Sequence, residues 1–191
     1  MKFKEAQEAM VNQFDSPTFH ERIKEEDPIM FKHIPLLKKI NRAGMITFNS
    51  QSGQKISGLS VDDHKPYTII ELERAFLFGW MKIEEAASFI FQLGISTDKQ
   101  AIYLPMVSDN TLLPGSLAVP FTITITGKRT ENTTRGSSAL PERVYIQLKA
   151  ESRLNKSEKV VAVMCWDPKW NRNASGPRGL FTDVLKVLRS I

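Results

Sequence analysis

The apolar residues of this chain change their period at Gly44, and that change limits the fold more than any other feature of the sequence. Before it, Phe3, Ala6, Met10 and Phe14 recur at steps of three and four, as the buried stripe of a helix requires. Beyond it, apolar residues come mostly in short β-rich runs broken by Gly, Pro, Asn and Asp, which read as strands and turns. Helices grouped at one end of a chain otherwise rich in strands imply the α+β class. With 191 residues the chain can bury about 70% of its unfolded surface without metal or disulfide, and its single cysteine, Cys165, has no partner within it.

Local signals place the elements. The spacing predicts a helix over residues 2–14. Ser16-Pro17 and Asp27-Pro28 each pair a good N-cap with a proline suited to the first helical position. Pro35 falls inside the next apolar stretch and, lacking an amide hydrogen, predicts a kink or restart there. Gly44 closes that helix, and Met45 to Phe48 reads as a strand entering a polar loop, Asn49 to Pro66. Alternation of Ile70, Leu72, Phe76, Phe78 and Trp80 predicts one strand over 68–81, followed by a helix over 82–93 that Gly94 stops. Strands are expected at 101–104, 118–126, 143–150 and 159–166, a long mobile hairpin loop at 127–141, and a last helix from Leu180 to Ser190. The whole reads as a single domain, 1–191: N-terminal helices, mixed central strands and helices, and a C-terminal antiparallel meander with a docked final helix.

Chemical signatures are scarce. There is no Gly-rich phosphate loop, no H-E-x-x-H and no C-x-x-C, so the chain is expected not to be an enzyme and to carry no metal. His20 and His33 are expected at surface or rim positions, and Asp62-Asp63-His64 as a solvated turn. Cys165 and Trp166 read as core residues, Trp170 as a rim residue. No apolar run is long enough for a signal peptide or a membrane span, which points to an intracellular chain without membrane contact. The net charge is +5, but unevenly spread: residues 128–191 hold 13 Lys and Arg against 6 Asp and Glu, net +7, and residues 1–127 hold 13 against 15, net −2. A basic C-terminal third suits contact with nucleic acid, through Lys128, Arg129, Arg135 and Arg172. Finally, Asn49, Ser50 and Gln51 offer donors and acceptors at the end of a strand, where they either pin a loop or grip a polar ligand.

The run from Ile40 to Gln51, I-N-x-x-G-x-I-T-x-N-S-Q, with Gly58-Leu59-Ser60 and the strand Ile69 to Met81 after it, resembles the C-terminal regulatory domain of eukaryotic methylenetetrahydrofolate reductase. The likeness covers residues 28–125 and is strongest in its first third. It implies the fold of that domain without the catalytic barrel, which 191 residues cannot hold, and so excludes folate reduction. It also implies a pocket for S-adenosylmethionine, with Thr47 and Thr122 matching two threonines of the family's site and Asn49, Ser50 and Gln51 beside them. Ile29 and Met30 stand where the family has an acidic residue and a threonine, so two polar contacts to the ligand are missing. As a stand-alone chain with this segment, it is similar to proteins of large double-stranded DNA viruses of the Marseillevirus group. Residues and resemblance together give three expectations: first, a non-catalytic interaction or virion-associated protein with no cofactor and a viral or host protein partner, a homodimer through sheet edges or N-terminal helices because two-fold pairs are the commonest small assemblies. Second comes an S-adenosylmethionine-type binding module, and third a nucleic-acid-binding protein.

Overall fold

The computed structural model describes residues 1–53, 56–62, 65–109, 119–126, 129–136 and 139–191, of which 56–62, 65–71, 126 and 129–136 are described by backbone alone. Four helices come first: α1 (Phe3–Phe14), α2 (Pro17–Glu26), α3 (Pro28–Phe31) and α4 (Ile34–Ala43). Their ends follow the expected signals. The Ser16 hydroxyl accepts from the Phe19 amide at 3.2 Å, and the Asp27 carboxylate accepts from the Met30 amide at 2.9 Å. The chain restarts at Ile34, so Pro35 falls in the first turn of α4, where no amide hydrogen is needed. Gly44 ends α4 with φ +136°, a backbone region that side chains disfavour.

The strands are β1 (Ile46–Ser52), β2 (Ile56–Asp62), β3 (Lys65–Glu73), β4 (Ala75–Lys82), β5 (Gln100–Leu104), β6 (Met106–Val107), β7 (Val119–Thr126), β8 (Arg129–Gly136), β9 (Leu140–Pro141) and β10 (Val160–Trp166), with α5 (Ile83–Ser96), α6 (Glu142–Glu151) and α7 (Leu180–Leu188) among and after them. Among the described residues they form a sheet of order β1-β4-β10-β5, a second of order β2-β3-β7-β8, and a small parallel pair, β6-β9. All pairings within the two larger sheets are antiparallel. The α+β class holds. The C-terminal strands are shared out, however: β7 and β8 extend the β2-β3 hairpin, and β10 inserts between β4 and β5, where a meander would have kept sequence neighbours side by side.

Four local expectations are corrected. The polar stretch 49–66 is not a loop, because Asn49 to Ser52 continue β1 against β4 and the chain then pairs β2 with β3. The single strand over 68–81 is two strands, broken at Arg74 where the chain leaves one sheet for the other. Residues 143–150 form helix α6, not a strand: Tyr145 and Leu148, three apart, face the core, and the Tyr145 ring meets Trp80 edge-on at 4.9 Å. The hairpin loop expected at 127–141 contains β8, paired with β7 along its length. In addition α5 runs through Gly94 to Ser96, and the Thr97 hydroxyl donates to the Leu93 carbonyl at 2.7 Å to close it.

The sheet containing β4 separates two apolar clusters. Ala75, Leu77 and Met81 of β4 face helices α4, α5 and α7 through Leu37, Ile40, Phe89, Leu93, Phe181 and Val184. Phe76 and Trp80 face the other way, toward Phe121, Leu154, Met164 and α6. No helix among the described residues is long and apolar enough to cross a membrane.

Candidate ligand-binding site

β1 is an edge strand, and helices α1, α3 and α4, which precede it, pack near it. Between them lies a cavity of about 460 Å³, bounded by α1, α2, α3, α4, β1 and the end of α6. Its apolar wall includes Phe14, Met30, Ile34 and Leu37. Its polar wall includes Thr47, Asn49 and Ser50, three residues that the sequence singled out.

The geometry of β1 explains why all three reach it. Asn41, fully buried on α4, donates to the Leu37 carbonyl and to the Thr47 hydroxyl, both at 2.8 Å, and accepts from the Thr47 amide at 3.0 Å. That anchors the start of the strand. The register against β4 then slips between Thr47 and Asn49, a bulge that leaves Phe48 without a partner and breaks strict alternation, so Asn49 and Ser50 both join Thr47 on the cavity wall. The Asn49 and Ser50 side chains have no hydrogen-bond partner among the described residues, whereas Thr47 is engaged by Asn41. Two free polar groups therefore face the cavity.

The other two residues implied for the ligand are elsewhere. The Gln51 amide donates toward the Arg74 carbonyl at 3.2 Å, the Phe121 carbonyl at 3.3 Å and the Thr122 hydroxyl at 3.4 Å, so it clamps the point where β3 passes into β4. Thr122 is at that clamp, on β7, and neither residue lines the cavity. Of the pinning and gripping roles open to this run, Gln51 takes the first, and Asn49 and Ser50 are placed for the second.

Asp27 also faces the cavity, a residue whose sequence signal was only that of a helix cap. One of its oxygens caps α3. Arg22, paired with Glu26 at 3.8 Å, and Glu151 line the same space, while Ile29 does not. The cavity thus carries two carboxylates and one guanidinium around an apolar floor.

His33, expected at a surface or rim position, is buried, 3% exposed: Nδ1 lies 2.5 Å from the Ser175 hydroxyl, the ring is edge-on to Phe181 at 5.8 Å, and Nε2 has no partner among the described residues. Burial pushes its pKa below the usual histidine value. Burial likewise pushes the Cys165 thiol up, leaving it an unreactive core residue. Trp166 is core, and Trp170 is half-buried beneath the Arg74 guanidinium at 4.1 Å.

Arg172 does not offer a free charge to a phosphate. It forms a bidentate pair with Asp98 at 2.9 and 2.8 Å and approaches Asp167 at 3.3 Å, and these bonds hold the Asp98 carboxyl well below the usual carboxylate range. Lys99, with no exposed side-chain surface, completes the cluster through Asp98, Asp167 and Asp183. Lys128 lies outside the described residues, and Arg129 and Arg135 are described only as backbone positions on β8. Asp63 and His64 are outside them too, and no group of three or more metal-ligating side chains occurs among the described residues. Comparison with protein-family models and with curated proteins finds no match.

Proposed function

We propose that this chain is a non-catalytic binding module for a small amphipathic molecule held in the cavity over β1, with S-adenosylmethionine as the first ligand to try. The observation that supports it is the convergence of Thr47, Asn49 and Ser50 on one apolar cavity, with two of the three polar side chains unpartnered among the described residues. A cavity of about 460 Å³ is the size that small ligands occupy, largely apolar with a few placed polar groups. Asp27 supplies a carboxylate for a cationic group near the position where Ile29 and Met30 supply none.

Ligand at about a hundredfold over its dissociation constant should stabilise the fold by about 2.7 kcal/mol in a thermal-shift experiment. Asp27→Asn retains a good N-cap while removing the charge, so it should weaken the sulfonium-bearing S-adenosylmethionine more than S-adenosylhomocysteine. Absence of any shift with millimolar ligand refutes this choice of ligand.

A second reading, self-association, is favoured by helix α5. Ile83, Ala87, Phe91 and Ile95 recur at steps of four, and Ile83, Phe91 and Ile95 are 54%, 62% and 63% exposed. A homodimer would bury this stripe and give twice the 21.7 kDa mass by light scattering.

A further inference from the structure

We propose that a second cavity, of about 210 Å³ and sharing Phe48 and Asn49 with the first, binds a planar aromatic ring, and that it is the ring subsite of the small-molecule site over β1, the second statement resting on the function proposed for that site. The cavity is lined by Phe48, Asn49, Phe78, Leu104, Leu140 and Leu148, drawn from β1, β4, β5, β9 and α6. Five of the six walls are hydrocarbon or aromatic. Cavities so lined hold water poorly and take up apolar guests, and one of about 150 Å³ suffices for a benzene ring.

Ring shape is favoured over an alkyl chain by the walls themselves. The Phe48 and Phe78 rings lie parallel within 7° with centroids 6.2 Å apart, an offset array that a flat guest extends through its face or edge. The sixth wall, Asn49, is exposed and its carboxamide has no partner among the described residues, so the guest carries one hydrogen-bonding edge toward the rim. Phe48 and Asn49 line both cavities, so one molecule that reaches past them would set its ring in the smaller and its polar remainder in the larger.

The test uses 5-fluoroindole, a flat ring system with one N–H donor, followed by fluorine NMR on the full chain. Saturable binding near about 1 mM is expected, and Leu148→Trp, which fills the cavity, should weaken it by at least about tenfold. In methyl-labelled protein the probe should shift the Leu140 and Leu148 methyls and leave those of Leu37, in the other cavity, unmoved. This mapping needs no variant, so it decides the matter even if Leu148→Trp fails to fold. No saturation, shifts centred on Leu37, or undiminished binding by a folded Leu148→Trp protein would overturn the subsite. If 5-fluoroindole binds here while S-adenosylmethionine binds nowhere, the ring site stands and that choice of ligand for the larger cavity falls; the converse result removes the ring site alone.

Discussion

His33 shows how a single residue can tie stability to acidity. Its Nε2 is buried without a partner among the described residues, so a proton added there would be a charge that none of them accepts. The unfolded chain takes that proton near the ordinary value of about 6.5, and the folded chain only at lower pH. The unfolded state therefore binds more protons in that window, and stability, complete above about pH 6.5, should fall as pH drops below it. Urea unfolding between pH 7 and pH 5 measures the slope, and His33→Gln should flatten it. The same residue marks where sequence reading stopped. Thr47, Asn49 and Ser50 could be picked out by type and position, but burial of His33 depends on Ser175 and Phe181, more than 140 residues away. Asn41 escaped notice for a similar reason: its role is visible only once the Thr47 backbone is in place.

Among the elements, those whose apolar stripe matched one period were legible, and those whose residue types argued against their packing were not. Helices α2 and α3 announced their N-caps, α4 its closing glycine, and β10 its burial. Helix α6 was hidden because Val144, Tyr145 and Ile146 favour strands, although Tyr145, Leu148 and Ser152 lie on the side that meets Trp80. Strand β8 is an edge strand of Thr and charged or polar residues with no apolar side chain, so it has no alternation to read. Gly94 misled because glycine commonly ends helices, yet here it lies within α5 and a Cβ added to it would meet nothing within 4 Å. Gly94→Ala should therefore stabilise the protein by about 0.5–1 kcal/mol in a denaturant titration, through helix propensity alone.

For the whole molecule, the α+β class followed from the change of period at Gly44, while the division of strands between two sheets did not, since pairing partners such as β4 and β10 are some 80 residues apart in register. Self-association also belongs to this scale. If α5 is the contact, Phe91→Glu places a charge in the middle of the stripe and should return the assembly to a monomer at all concentrations in light scattering, with the melting temperature of the isolated chain unchanged because Phe91 is 62% exposed. A dimer that persists in Phe91→Glu would place the contact elsewhere. The Lys99 cluster carries a consequence of another kind. Its ammonium is shared among carboxylates from the connection after α5, the end of β10 and the first turn of α7, so loosening any one of these segments strands a charge in the others. Segments bound in this way open together or not at all, and their backbone amides exchange with solvent as one cooperative unit.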